Sequence, residues 1–358
     1  MVKKKIAIII SVIVFIFVLK ACQKDPSLDP VLTIHGTPYD LVIPNGLPPI
    51  EVPEDNPLTE EGVKLGRYLF YDPKIKCQKC HDFNKAFTID QNIAVEVNGK
   101  TYLRNPMTLF NLAWVDNFAW DGRKTGMENK ISESITKSVG ISFDTLIPYL
   151  ANKSDSIVDY SVLFKDAFDS DSITEDEIVK ALSQFLRINI VAETRVQKYM
   201  NGDDNALNSS EKAGLDLFIS ETANCFHCHT AVNKLFTDNS MQNNGIDSVA
   251  YVTDFADWGF GEVTGNTYDN GKFRSVSLVN IALTSPYMHD GRFATLEEVV
   301  EHYNTGAKYS PNVSNAIIEN GLGGLNLSSV QKLDLVAFLK ALTDSTFMTD
   351  PKFIDPFQ

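Results

Sequence analysis

Apolar residues recur at helical spacing in several stretches of the chain, each opened by a residue able to cap a helix. After Thr59-Glu60-Glu61, Leu65, Tyr68 and Leu69 share one face. Thr174 and Glu177 form a capping box ahead of Ile178, Ala181, Leu182 and Phe185, and Asn208 and Glu211 form another ahead of Leu215 and Phe218. Ser328 and Gln331 precede a stripe of Leu335, Phe338, Leu339 and Leu342. Thr295 to Asn304 reads as one helix with Leu296, Val299, Val300 and Tyr303 inward and His302 beside Glu298 on the other side. No alternating run is long enough to build a sheet, so the class is mainly α, with long loops. Asp25 to Pro57 holds eight of the fifteen prolines, which forbids a continuous helix and makes it a tether or surface strap, with His35 a loop histidine.

Two of these helices lead into the same motif. Gly66, Leu69 and Phe70 precede Cys77-Gln78-Lys79-Cys80-His81, and Gly214, Leu217 and Phe218 precede Cys225-Phe226-His227-Cys228-His229 at the same offset. Phe87-Thr88 and Phe236-Thr237 follow at nearly matched distances, so a whole unit reads as duplicated. Two thiols three apart with a histidine next are what covalent haem attachment needs: the thiols add to two vinyl groups and the imidazole reaches the iron. One copy alone could equally be a zinc half-site or a redox pair; two copies in matched surroundings point to two haem c groups. Of five cysteines, only Cys22 is then unaccounted for.

A length of 358 residues and an apolar fraction of 44% suit two packed domains without disulfides. Lys3, Lys4 and Lys5 precede an apolar run from Ile6 to Leu19, broken only by Ser11, and then Leu19-Lys20-Ala21-Cys22. This pattern reads as a lipoprotein-type signal peptide over residues 1–21, with Cys22 the lipidated first residue; an uncleaved anchor or a plain secreted chain is the other reading. The expected place is the periplasm, membrane-anchored by lipid rather than by a span. Loss of residues 1–21 would move the net charge from −14 to −18, which repels nucleic acid. The domain plan is a signal at 1–21, a tether at 22–57, an N-terminal haem c domain at 58–205 and a C-terminal one at 206–358.

With these motifs stand Arg104-Asn105-Pro106, Trp120-Asp121-Gly122-Arg123, Gly271-Lys272-Phe273-Arg274 and Pro286-Tyr287-Met288-His289-Asp290-Gly291. Together they resemble the bacterial dihaem cytochrome c peroxidases and their MauG-type relatives over roughly residues 56–345. The resemblance implies two cytochrome c-like domains, His81 and His229 as proximal iron ligands, and peroxide reacting at the His81 haem with electrons entering through the His229 haem. It also implies an electron-relay role for Trp120, which by itself would read as a core residue, and a calcium ion held by Asn105, Thr284 and Pro286.

The remaining face of each iron decides the chemistry. In many of these peroxidases a histidine occupies the loop before Arg104; counting back from Asn105 reaches Val97, and no histidine lies between His81 and His227. The first haem is therefore expected to be open to peroxide, unless Met107 or Met127 fills the place. For the second haem, Tyr303 matches the position that is methionine in those peroxidases and tyrosine in MauG-type enzymes, with Met288 the alternative. Where the family carries a glutamine and a glutamate over the open haem, the counted positions hold Lys130 and Gly140, and Glu128 and Glu133 are the candidate acid–base groups. Three functions follow. The first is reduction of hydrogen peroxide by a small periplasmic electron-donor protein; the second is MauG-type oxidation of a partner protein; the third is non-catalytic electron carriage. The sequence leaves open whether a homodimer forms.

Overall fold

The computed structural model describes residues 35–93, 103–155, 157–319 and 324–358. Val97 and Cys22, and with them the signal and lipidation readings, lie outside the described residues. Among those described, helices and irregular loops dominate, and sheet is confined to two two-stranded antiparallel ribbons. One pairs Asn117–Phe118 with Lys124–Thr125, the other Met241–Gln242 with Phe273–Arg274. The molecule is mainly helical, as its hydrophobic pattern indicates.

Two helix pairs carry the core. The helix Glu60–Tyr71 crosses Glu175–Arg187, and the helix Ser209–Phe218 crosses Ser329–Ala341. At each crossing a glycine sets the approach. A Cβ added to Gly66 would lie 2.0 Å from the Ala181 carbonyl oxygen, and one added to Gly214 would lie 2.0 Å from that of Asp334. Only a residue without a side chain permits such contact. Aromatic rings then fill each crossing: Phe70 sits against Phe87 and Phe185, and Phe218 against Phe236 and Phe338. The capping boxes at Thr174, Asn208 and Ser328 are all formed, satisfying backbone N–H groups that the first helical turn leaves unpaired.

Past each second helix the chain is tied back by a buried asparagine. Asn111 accepts from the Val191 N–H at 2.9 Å, and Asn280 from the Asp344 N–H at 2.7 Å. Both asparagines have positive φ, 56° and 62°, and each opens a short 3-10 turn.

The described part of the proline-rich strap lies along the body. Tyr39 N–H donates to the Leu58 carbonyl, and the Trp114 indole donates to the Pro48 carbonyl at 3.1 Å. Residues 346–358 also cross back, onto the helix Glu60–Tyr71 and its neighbours. Phe347 packs on Phe110 and Phe83, Phe353 on Phe185, and Phe357 on Tyr68, while Arg67 donates to the Ile354 carbonyl at 2.8 Å. The segment assigned by chain order to the second domain thus walls the first cysteine motif.

Candidate functional site

Each cysteine motif is a tight turn preceded by a left-handed residue, Lys76 at φ 60° and Asn224 at φ 58°. The turn brings the histidine N–H onto the carbonyl of the first cysteine, at 3.0 Å for both His81 and His229. The Nδ1 of His81 lies 3.0 Å from the Phe87 carbonyl, and that of His229 lies 3.2 Å from the Phe236 carbonyl. Since a carbonyl can only accept, Nδ1 carries the proton and Nε2 is left with its lone pair, the state of an iron-ligating imidazole. Burial favours the neutral ring, pushing His81 down to about 4 and His229 in the same direction. Thr88 and Thr237, just behind these carbonyls, donate to the Pro106 and Ser275 carbonyls, which fixes the two loops alike.

The thiols separate the candidate chemistries. Burial pushes Cys77 and Cys225 up to about 12 and Cys228 up to about 11, and it raises Cys80 as well. A reactive redox pair draws on cationic surroundings that depress the thiol pKa, and these surroundings do the reverse. Among the described residues no group of three or more His, Cys, Asp or Glu is placed to hold a metal ion. Apolar surroundings around two neutral thiols and a neutral imidazole fit covalently attached haem.

A cavity of 220 Å³ opens beside the second motif, lined by His229, Cys225, Tyr303, Met288, Trp120 and Arg274 among others. Arg274 supplies an independent test of what fills it. Its side chain is 6% exposed, Nη1 reaches Asn239 at 3.2 Å, Nη2 reaches the Met107 sulfur at 3.5 Å, and Nε has no partner. Burial pushes Arg274 down to about 10, with no carboxylate opposing it. A buried guanidinium without a counter-charge is costly, and the carboxylates of a haem are the complement it lacks.

Tyr303 and Met288 meet in this cavity. Asn244 Nδ2 lies 3.4 Å from the Tyr303 hydroxyl and 3.4 Å from the Met288 sulfur. Burial pushes the Tyr303 phenol up to about 12. The helix expected over Thr295 to Asn304 ends early: Leu296–Glu301 is α-helical, and His302–Gly306 is a π-turn. The wider turn alters the face of each residue, so His302 is buried rather than solvent-facing beside Glu298, with Nε2 3.1 Å from the Asn244 carbonyl. Tyr303 remains in the cavity wall.

Trp120 comes from the first half of the chain yet lines the cavity of the second. Its indole donates to the Asn105 carbonyl at 2.8 Å, and its own carbonyl accepts from the Arg274 N–H at 2.8 Å. Next to it Arg104 bonds Asp121 and forks onto Asp257 at 2.8 and 2.7 Å. Burial opposes both charges, but Arg104 outweighs it and holds Asp121 and Asp257 below the ordinary carboxylate range. Asn105, Thr284 and Pro286 line the same cavity; with Asn105 Nδ2 given to the Gln91 and Asn92 carbonyls, its oxygen is the atom left for a cation.

The structure gives the two candidate acids different partners. Glu128 accepts from Ser183 at 2.8 Å, Arg187 at 3.0 Å and Asn56 at 3.1 Å, a set that ties two helices together. Glu133 pairs with Lys130 at 2.9 Å and Arg123 at 3.3 Å. The Lys130 charge is near enough to depress His81 further. Burial raises Glu133, and these cations bring it back below its ordinary value. Gly140, the second counted position, has φ 76° and no neighbour that a Cβ would meet.

Residues 60–205 match the model of the di-haem cytochrome c peroxidase family. The methylamine utilization protein MauG of Methylorubrum extorquens is 31% identical over 304 residues, covering 81% of this chain and 80% of that protein. The cytochrome c551 peroxidase of Nitrosomonas europaea is 30% identical over 302 residues, covering 80% and 81%. The crystal structure of a MauG-like protein associated with microbial copper homeostasis superposes with a TM-score of 0.81 at 31% identity, over 89% of this chain and 100% of that one. The chain belongs to the di-haem cytochrome c peroxidase family. As a di-haem peroxidase-like protein it is an oxidoreductase, and the family implies two haem c groups.

Several residues of this di-haem protein's site escaped the sequence. Asn244 sits in an asparagine-rich loop with no signature, and Asp257 lies far along the chain from its partner Arg104. The matched pair Asn111 and Asn280 lies at different distances from the two cysteine motifs, which hides the correspondence.

Proposed function

We propose that the chain is a dihaem c-type peroxidase that reduces hydrogen peroxide to two waters, taking two protons and two electrons, with a small periplasmic donor protein supplying the electrons. Peroxide would be handled on the His81 side and electrons received on the His229 side. The haem groups, when bound, supply the iron that meets peroxide and carries charge. The protein's own part is to hold each imidazole by its Nδ1–H, to bring Trp120 of one half into the wall of the other, and to place Glu133 as the proton carrier. The observation that carries the reading is Trp120, bonded on one side to Asn105 and on the other to Arg274.

Glu133 is preferred over Glu128 because its partner Lys130 lies close enough for its charge to act on His81, whereas Glu128 is committed to Arg187 and Ser183. The repeated glycine crossings, histidine–carbonyl bonds and asparagine ties support two domains related by internal duplication. Calcium at Asn105, Thr284 and Pro286, and a periplasmic lipoprotein anchored through Cys22, complete the proposal. A second reading, peroxide-dependent oxidation of a partner protein, is favoured by Tyr303 lying in the His229 cavity.

Stopped-flow absorption of the haem-loaded ferric protein with one equivalent of peroxide, followed by turnover with a reduced small cytochrome c, tests the choice. Saturating oxidation of the small cytochrome supports the peroxidase. A fast, long-lived oxidised species without such turnover supports the second reading, and no reaction with peroxide would leave a simple electron carrier.

A further inference from the structure

One side-chain amide is shared by both residues able to complete the second haem's coordination. Asn244 Nδ2 faces the Tyr303 hydroxyl and the Met288 sulfur at the same distance, 3.4 Å. The loop that carries the amide is held in place from behind. The Asn244 carbonyl accepts from His302 at 3.1 Å, and Asn243 bonds Ser310 at 2.9 Å and Asn312 at 3.0 Å. The Gly245 carbonyl accepts from the Lys308 N–H at 2.7 Å, and its φ of 68° with the Lys308 oxygen 3.0 Å from an added Cβ closes the loop to larger residues. An N–H donor so fixed does not treat its two neighbours equally. A phenol oxygen that ligates as an anion accepts a charge-assisted hydrogen bond, whereas a thioether is a weak acceptor whether or not it binds metal.

We propose that Asn244 is a positioning residue that selects Tyr303 over Met288 as the sixth ligand of the His229 haem, holding Met288 beside it as the excluded alternative. The inference rests on the reading that Tyr303 is that ligand. Both candidates converge on the same nitrogen. Removing the donor takes away the preference for the phenolate and leaves the thioether to compete, which changes how strongly the ferric state is favoured.

The test uses the full, haem-loaded chain and reads the near-infrared thioether-to-iron band, the low-spin electron paramagnetic resonance signal and the reduction potential of that haem. Asn244→Leu removes the polar head, and Asn244→Asp keeps the shape while replacing the donor by a carboxylate; circular dichroism checks that both fold. The expected result is a thioether band absent from the wild type, a ligand population shifted about tenfold toward Met288, or about 1.4 kcal/mol, and a higher potential. Adding Met288→Leu should abolish the new band. If Tyr303→Phe alters the low-spin signal while both Asn244 variants keep the wild-type spectrum and potential, the selecting role is overturned and the ligand assignment survives. If Tyr303→Phe leaves the spectrum unchanged, the ligand assignment itself fails and takes the selecting role with it.

Discussion

Behind His81 and behind His229 the chain does the same things: a left-handed residue starts the cysteine turn, a carbonyl accepts from Nδ1–H, the threonine that follows donates to a carbonyl of a neighbouring loop, and a glycine lets two helices touch. In front of the two rings nothing matches. His81 has a lysine–glutamate–arginine cluster whose lysine charge acts on it. His229 has a phenol, a thioether and an amide in a cavity shared with Trp120. The lesson is that the cradle fixes what is bound, while the facing segment fixes what is done with it.

The most severe way to probe the shared half of this comparison is to fill the two crossings. Gly66→Ala and Gly214→Ala each force a methyl against a backbone carbonyl, and each should lower unfolding stability by about 3 kcal/mol. Denaturant titration of the two variants should give matched losses; a loss in one alone would break the equivalence of the two crossings. The unshared half is sharpened by the two acids. Glu133→Gln should slow peroxide reduction about 100-fold with the fold intact, whereas Glu128→Gln should leave the rate within about threefold while lowering stability. A reversed pattern in stopped-flow rates would move the proton carrier to Glu128.

The smallest effect concerns the join between halves. Asp257→Asn removes the forked carboxylate from Arg104, leaving it Asp121 and the more distant Glu262, and should lower stability by about 2 kcal/mol at neutral pH. Asp121 and Asp257 are held below their unfolded values by Arg104 despite burial, so their stabilisation is complete above the ordinary carboxylate range. It is lost as pH falls through the depressed folded values. Acid unfolding of Asp257→Asn should therefore be shallower than that of the wild type over that range; a parallel curve would show that the join does not contribute.

How much of this was legible depended on whether the interaction was local. Capping boxes span four residues and cysteine turns span five, so Thr174, Asn208, Ser328, His81 and His229 could be read directly. Tyr303 was found by its register on a helix, although the π-turn that places it and buries His302 was not visible in the spacing. Asn244, Arg274's missing counter-charge and the Arg104–Asp257 fork arise where separate loops converge, and no periodicity encodes that meeting. Glu128 and Glu133 looked equivalent in sequence because what separates them is which helix each one faces.

Residues 346–358 give the molecule an order of assembly. A ribosome delivers the Cys77 turn long before Phe347, which covers Phe83 and Phe110 beside it. Until Phe347 arrives, that flank of the first cysteine motif is a doorway without its door. None of residues 346–358 lines the cavity beside the second motif, so a chain shortened by a dozen residues should load its downstream cofactor normally and leak the upstream one.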